Sequence, residues 1–293
     1  MPTFRYQIDG AWFKGNTHVH STLSDGGKTF PELAQIYADA GYHFLFRTDH
    51  WVLSNARADK QPYPLLWLDG VELDGQDRSG TDYHVVALGP LTGIRQELGL
   101  TRALESARAQ NALLILAHPL WMGNSFEDSL RWQFDGVEVY NHVCQWLNGK
   151  GYSRAYWNAM LKYFPNTLAL AVDDAHANPG DPELNRGWVV VNAGECTQAA
   201  ILAALRAGNF YASLGPEIYD LQYDGERLIV ECSPVRYARL VGPAYMGIRA
   251  WPGDGPDRSR AEFQVPKNWP YVYLELEDAL GRPAWTNPLF IWE

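Results

Sequence analysis

Cysteine is scarce in this sequence, and long apolar runs are missing from it. The 293-residue chain has three cysteines, an odd number without C-x-x-C spacing, which argues against a disulfide framework and favours a reducing compartment such as the cytoplasm. Runs of 18 apolar residues do not occur, so no membrane span is predicted. The first residues, Met-Pro-Thr-Phe-Arg-Tyr, lack the apolar stretch of a secretory signal, and we expect no signal peptide.

Positive charge is also in deficit. The chain has 24 Lys and Arg against 34 Asp and Glu, and its formal net charge is −10. This balance disfavours binding to duplex nucleic acid or to an anionic membrane. An acidic protein can still bind phosphates where metal ions supply the positive charge. The length and a hydrophobic content of 46% suffice for one large domain or two ordinary ones.

Two neighbouring histidines begin the most informative stretch. His18 and His20 are two residues apart, so on an extended strand both imidazoles point to the same face. Asp25 follows in a glycine-containing loop. Residues 29–41 then have an N-cap threonine, an early proline and a glycine stop, which predict a helix. A second apolar run leads to His50, so the stretch reads as strand, loop, helix and strand with a ligand-type residue near each strand end.

Strand-like and helical segments alternate up to about residue 215. The strands are too apolar for burial on one face only, which predicts a parallel α/β sheet or barrel. Ligand-type side chains recur where these strands end, as they do at the active sites of α/β barrels. They include six of the eight histidines. The full set is His18, His20, Asp25, His50, Glu72, His84, His118, Asp174 and His176.

The sequence texture changes at residues 215–216. From there, short alternating runs are separated by Asp-Gly, Gly-Pro and Asn-Pro turns, and no helical period stands out. This pattern predicts an all-β, sandwich-like module of roughly seven strands. We therefore expect two domains, residues 1–215 and 216–293. The predicted strands of the module are residues 218–223, 227–231, 236–241, 246–251, 261–265, 271–276 and 289–292.

The chemistry of the set points to metal ions. A single histidine at a strand end is more often a hydrogen-bonded polar residue than a metal ligand. Six histidines at such positions are not explained that way. Imidazole and carboxylate ligands without thiolate suit Zn²⁺, Mn²⁺ or Fe²⁺ at a catalytic site. The set exceeds the needs of one ion, so we expect two or three, with Glu72 as a natural bridge. Clustered ions bind an oxyanion, lower the pKa of a bridging water and stabilise a leaving oxygen.

Five motifs resemble the polymerase and histidinol phosphatase (PHP) family over residues 13 to about 215. They are His18-Val-His20, Thr48-Asp49-His50, Gly70-Val71-Glu72, Ala117-His118-Pro119 and Asp174-Ala175-His176.

The resemblance implies a distorted β/α barrel of about seven strands with three metal ions. It also implies hydrolysis of phosphate mono- and diesters by a metal-bound hydroxide. By this resemblance the first ion is held by His18, His20, Glu72 and Asp174, the second by Glu72, His84 and His118, and the third by Asp25, His50 and His176.

Three C-terminal motifs resemble one branch of that family, the CehA and McbA group. They lie at residues 207–216, at Cys232-Ser-Pro234 and at residues 284–288. The group includes members reported to cleave the carbamate ester of an aryl insecticide. The resemblance therefore leaves carboxyl or carbamate ester cleavage open beside phosphate ester cleavage.

Further candidates have competing interpretations. His142 is a candidate general acid for the leaving group, with a structural role as the alternative. Arg47 and Arg154 are candidates for gripping a phosphate oxygen, with surface ion pairs as the alternative. Asp49 is predicted to orient His50 as a hydrogen-bond acceptor. Cys144 is interpreted as buried rather than nucleophilic.

The sequence leads to three alternative hypotheses for the function. The main hypothesis is a metal-dependent phosphoesterase with a di- or trinuclear centre, acting on a small-molecule phosphate ester. The alternative is a carboxyl or carbamate ester hydrolase with the same centre, and the Trp- and Tyr-rich loops would suit an aromatic leaving group. The third is a non-catalytic binding protein with a structural metal site, which the absence of thiolate ligands disfavours. The substrate, the metal, self-association and the role of the β module are not indicated by the sequence.

Overall fold

Short strands alternate with helices through the first two thirds of the chain. The computed structural model describes residues 3–182, 184–252 and 255–291. The strands of this part are β1 (Thr3–Phe4), β2 (Ala11–Asn16), β3 (Phe44–Arg47), β4 (Leu66–Gln76), β5 (Asp82–Leu88), β6 (Leu113–Leu116), β7 (Gly136–Asn141), β8 (Leu168–Val172), β9 (Trp188–Ala193) and β10 (Phe210–Ser213).

The helices are short and lie between these strands. Within the described ranges, every helix falls short of the length and apolar content that a membrane crossing requires. One 3₁₀ turn covers Gln96–Leu98. The α-helices are α1 (Phe30–Asp39), α2 (Leu100–Ala109), α3 (Pro119–Met122), α4 (Phe126–Arg131), α5 (His142–Asn148), α6 (Arg154–Leu161) and α7 (Gln198–Ala207).

Helix α1 begins where the sequence predicts. The backbone N–H of Thr29 donates to the Glu32 carboxylate at 2.8 Å, which closes the first turn. Leu33 and Ala34 lie four and three residues before Tyr37, and all three are buried. The helix therefore packs one apolar stripe inward and returns the chain to β3.

The sheet in this part is mixed rather than wholly parallel. Strands β2, β3 and β4 pair in parallel, and so do β6, β7 and β8. Strand β5 runs antiparallel to both β4 and β6, and β9 runs antiparallel to β2. The prediction of a parallel sheet is therefore only partly correct. Residues 77–81 join β4 to β5 too tightly for the crossover that parallel pairing needs.

One apolar cluster fills the space inside these strands. It combines side chains from β3 to β6 with side chains from β8, β9, β10 and α7. Strand β8 lies against β9 and β10 across this cluster. In the described ranges, however, the hydrogen-bond ladder ends at β8, so the closed barrel stays a prediction. Representative members are Phe44, Leu68, Val86, Ile115, Leu170, Val191, Ile201 and Phe210.

From residue 216 onward the described chain is all β, as predicted. One strand, β17, was not among the predicted runs, and the strand predicted at 289–292 includes Trp292, which lies outside the described residues. The same holds for Gly253 and Asp254 of a predicted turn. The strands are β11 (Ile218–Tyr223), β12 (Arg227–Val235), β13 (Tyr237–Val241), β14 (Gly247–Arg249), β15 (Arg258–Gln264), β16 (Tyr273–Glu277), β17 (Pro283–Thr286) and β18 (Phe290–Ile291).

Seven of these strands form two layers, and β18 pairs separately with β1. Strands β11, β12 and β15 make a three-stranded sheet, while four others extend the large sheet through the pairing of β17 with β10. The large sheet has 13 strands in the order β14-β13-β16-β17-β10-β9-β2-β3-β4-β5-β6-β7-β8. Leu228 and Val230 of the small sheet share an apolar cluster with Leu240 and Leu274 of the large one. The division of the chain at residue 215 stays a prediction.

Candidate metal centre

The structure brings all nine predicted ligand residues to one place. Seven lie in loops that follow strands, as the sequence indicates, and the strand order places those loops side by side. Glu72 and His84 instead lie within strands, because β4 continues past the predicted strand end at Glu72 and β5 begins before His84. His18 and His20 follow β2, Asp25 lies in the next loop, His50 follows β3, Glu72 lies in β4, His84 in β5, His118 follows β6, and Asp174 and His176 follow β8.

Four of them form a buried group. His18 Nε2 lies 3.0 Å from Glu72 Oε2 and 3.2 Å from Asp174 Oδ1. His20 Nε2 lies 3.1 Å and 3.0 Å from the same two oxygens. All four residues are buried. This group has the same members as the first predicted ligand set.

A second group surrounds the other oxygen of Glu72. His84 Nδ1 is 2.8 Å from Glu72 Oε1, and His118 Nε2 is 3.4 Å from it. His50 Nε2 approaches Glu72 Oε2 at 3.3 Å. The group whose donor atoms all lie within 4.8 Å of one another comprises His50, Glu72 and His84, so His50 takes the place predicted for His118.

A third group lies toward solvent. Its members are His20, Asp25, His50 and His176, and their donor atoms lie within 4.8 Å of one another. His176 Nε2 is 3.3 Å from Asp25 Oδ2. This hydrogen bond, with the charges of His20, His176 and His50, lowers the pKa of Asp25 against the opposing effect of burial. The predicted third set is therefore joined here by His20.

The donor atoms of the buried group fit a divalent cation. Donors held 2.0–2.2 Å from one ion stand about 3 Å apart, which matches the spacing found here. The Nε2 atoms of His18 and His20 lie 3.0 Å apart, so their lone pairs face one another unless a cation or proton lies between them. His20 Nδ1 is buried, and in the described part of the chain it makes no hydrogen bond. Imidazole and carboxylate donors without thiolate also suit Mn²⁺, Fe²⁺ or Zn²⁺.

The electrostatics of the buried group also favour cations. Burial lowers the pKa of His20, but hydrogen bonds to Asp174 and Glu72, together with their charge, raise it to about 9 overall. Burial likewise opposes ionisation of Glu72, yet the surrounding histidines hold its pKa well below the usual range. The two buried carboxylates therefore stay ionised and require positive charge beside them.

Glu138 supports this group and was not predicted. It accepts a hydrogen bond from His18 Nδ1 at 2.6 Å and from the backbone N–H of His118 at 3.0 Å. Asn141 Nδ2 links Glu138 to Asp174 at 2.8 and 3.0 Å. With its Nδ1–H engaged, His18 presents the Nε2 lone pair to an ion. The sequence signal was a lone carboxylate in an apolar strand, which needs a buried partner.

We predict that Glu138→Gln lowers metal affinity and turnover by roughly 10- to 100-fold. Glutamine keeps the shape of the side chain but removes the charge that fixes the His18 tautomer. Metal titration by calorimetry measures the effect. Glu231→Gln, on the half-exposed side of β12, is the control. Equal metal affinity in wild type and Glu138→Gln would show that Glu138 does not orient His18 for metal binding.

The prediction for Asp49 is wrong. Asp49 accepts hydrogen bonds from the Ser21 N–H at 2.7 Å and from the hydroxyls of Ser21 and Ser24. It therefore holds the loop between β2 and α1 and does not orient His50. The partner of His50 Nδ1 is Asp74, at 2.9 Å. Asp74 falls in a predicted polar loop that β4 in fact continues into.

The structure does not bring His142 to the cavity. Its Nδ1 lies 2.6 Å from the Tyr140 hydroxyl. Burial and the positive charge of Arg186 lower the pKa of His142 to about 4, so the ring is neutral at pH 7. A general acid needs its proton at the working pH. This placement favours the structural role.

We expect His142→Ala to retain kcat within about threefold. The basic limb of the pH–rate profile should also stay unchanged, because a neutral ring outside the cavity supplies no proton. Steady-state kinetics between pH 5 and 9 would measure both. A large loss of kcat accompanied by a shifted basic limb would restore the general-acid role.

Neither predicted arginine lines the cavity. Arg154 is ion-paired with Glu275, which also binds Arg239 at 2.9 Å. The Arg47 guanidinium lies 5.2 Å from the ring centre of Trp67. Arg154 thus has a carboxylate partner, while Arg47 lies over an aromatic face with its Nε 3.6 Å from Asp49 Oδ2. Their predicted grip on a phosphate is not supported by these positions.

No protein-family model matches the sequence, and no curated protein does. A two-domain protein from Bacteroides vulgatus, containing a predicted PHP-like metal-dependent phosphoesterase, is similar in structure, with a TM-score of 0.56 and 16% identity over 93% of this chain and 94% of that one. The chain therefore has the overall fold of that two-domain protein.

Two further solved structures are more distant. A proposed metal-dependent phosphoesterase from Bifidobacterium adolescentis matches with a TM-score of 0.41 and 16% identity, over 58% of this chain and 89% of that one. An amidohydrolase from Chromobacterium violaceum, crystallised with sulfate and without metal, matches with a TM-score of 0.23 and 22% identity, over 50% and 49%. Likeness at this level supports no conclusion about fold or function.

Proposed function

We propose that this protein is a metal-dependent hydrolase of the PHP family and that it cleaves phosphate esters of small molecules. One observation carries the proposal: eight imidazole and carboxylate side chains converge in three overlapping groups that share His20, His50 and Glu72, with His118 beside them. The five sequence motifs and the overall fold agree with this assignment. We take Mn²⁺, Zn²⁺ or Fe²⁺ as the ions, two or three in number.

The predicted roles of these residues differ with their burial. His18, His20, Glu72 and Asp174 are closed off from solvent and would hold one ion firmly. His50, His84, His176 and Asp25 are partly exposed and face the cavity, where the ester would bind. When bound, the ions supply the positive charge that activates water and stabilises an anionic transition state.

The supporting hydrogen bonds fix which nitrogen each ring offers. Glu138 engages His18 Nδ1, and Asp74 engages His50 Nδ1. The Asp174 carbonyl accepts from His176 Nδ1 at 2.9 Å. In each case Nε2 is left to face the cluster, so the rings are oriented before any ion binds.

We also propose that the protein belongs to the CehA and McbA branch of the family. Two of the motifs that resemble the CehA and McbA group meet in space, because Asn287 Nδ2 donates to the carbonyls of Gly208 and Phe210 at 3.1 and 2.9 Å. These contacts lie where β17 pairs with β10. They help to join C-terminal strand β17 to β10 within the large sheet and supply no group to the cavity.

An assay on three esters tests the proposal. Chelator-treated protein is supplied with Mn²⁺ or left without it, and offered p-nitrophenyl phosphate, bis-p-nitrophenyl phosphate and p-nitrophenyl acetate. We expect Mn²⁺-dependent turnover of at least one phosphate. Asp25→Asn should abolish this turnover, while Asp39→Asn, an exposed aspartate on α1, should not. Turnover of the acetate alone would replace the proposal with carboxyl ester cleavage.

A further inference from the structure

One wall of the cavity is apolar and open to solvent. Trp121, Trp146 and Leu147 line it, and they remain 37%, 44% and 56% exposed. In the described part of the chain, these are the only two tryptophans whose side chains are exposed. Large apolar side chains left exposed in a concave surface mark a ligand groove.

The apolar wall stands directly beside the metal ligands. The Trp121 ring centre lies 5.3 Å from that of His118 and 6.2 Å from that of His84, each at a steep angle. Trp121 belongs to α3, which begins immediately after His118, and Trp146 belongs to α5, which follows β7. An ester whose phosphate binds the ions therefore has its other half against this wall.

The charge of the cavity limits what that other half can be. Of the described residues that line it, none is a lysine or an arginine. The polar groups there, apart from the predicted metal ligands, are Asn178 and Asp181. A second phosphate on the substrate would meet a carboxylate and no cation. The cavity has a volume of about 470 Å³, within the range of small-ligand pockets.

We infer that the substrate is a phosphate ester of a flat, uncharged aromatic alcohol, with its ring against Trp146, Leu147 and Trp121. This inference rests on the proposed function and names its substrate class. Stacking on indole and burial against leucine give the aryl group binding energy that a polar alcohol lacks.

Kinetic comparison of esters gives the first test. We expect the Mn²⁺-loaded enzyme to prefer 2-naphthyl phosphate over glycerol 2-phosphate in kcat/KM, and fructose 1,6-bisphosphate to be a poor substrate. Trp146→Ala should lower the ratio of kcat/KM for naphthyl to glycerol ester by about tenfold, mainly through KM. Tyr163→Ala and Leu280→Ala remove exposed side chains elsewhere and should leave this ratio unchanged. No aryl preference, or an unchanged ratio in Trp146→Ala, would overturn the inference.

A binding measurement separates the two proposals. Calorimetry on Mn²⁺-loaded protein compares 1-naphthylphosphonate with methylphosphonate, neither of which can be hydrolysed. We expect naphthyl binding to be about tenfold tighter, and this difference to disappear in Trp146→Ala. Tight naphthyl binding without turnover of any phosphate ester would refute phosphoesterase activity and keep the aromatic site. Turnover of a phosphate ester with equal binding of both phosphonates would keep the phosphoesterase activity and refute the aromatic site.

Discussion

Replacement of Glu72 by glutamine is expected to lower kcat/KM for a phosphate ester by roughly a thousandfold or more, and to lower the amount of metal bound. The carboxylate is buried, and five imidazole nitrogens lie within 3.4 Å of its two oxygens. Glutamine has nearly the same shape but carries no charge and has an NH₂ group in place of one acceptor. Two of the three ligand groups would therefore lose an anionic donor at once.

A matched control exists in the same chain. Glu275 on β16 is also a buried carboxylate, and it binds Arg239 and the Trp285 indole at 2.9 and 2.8 Å. Glu275→Gln should lower the melting temperature without changing the metal content. Metal analysis of both purified variants, beside the kinetics, measures the difference. Full metal content and activity in Glu72→Gln would show that the cluster is not a metal centre.

Removal of the ions is expected to abolish turnover and to lower the melting temperature by about 5–15 °C. Without cations, Glu72 and Asp174 depend on protons held by the adjacent histidines to offset their charge. Ions that bind the folded chain and not the unfolded one stabilise it by mass action. The fold itself should survive, because the apolar clusters do not include the ligand residues.

Calorimetric melting before and after chelation measures this effect. Adding Mn²⁺ back should restore both the melting temperature and the turnover. The Glu72→Gln variant provides the comparison, since its melting temperature should respond much less to a chelator. Identical melting curves for chelated and Mn²⁺-loaded wild type would contradict the assignment.

Local patterns in the sequence were sufficient to predict which imidazole and carboxylate side chains come together. The two-residue spacing of His18 and His20 and the strand-end position of His118 depend only on short segments. Parallel pairing of β2, β3 and β4 then places successive strand ends together. For the same reason α1 was predicted well, because its cap and apolar stripe lie within one segment.

Partners distant in sequence could not be derived in this way. Glu138 is 120 residues from His18, and Glu275 is 121 residues from Arg154. The ion pair of Arg154 with Glu275 therefore has no local signal in the sequence. The β4–β5 hairpin was missed for a related reason, since apolar runs buried on both faces do not reveal whether neighbouring strands are parallel.

Activity as a function of added metal tests the central claim most directly. Chelator-treated protein is titrated with Mn²⁺, and turnover of p-nitrophenyl phosphate is measured at each ratio of metal to protein. The account predicts no turnover at zero metal and saturation at two or three equivalents. It also predicts no saturable rise in a variant with both Asp25→Asn and His50→Asn. Turnover that is independent of Mn²⁺, or equal in the double variant, would contradict a metal-dependent phosphoesterase at this site.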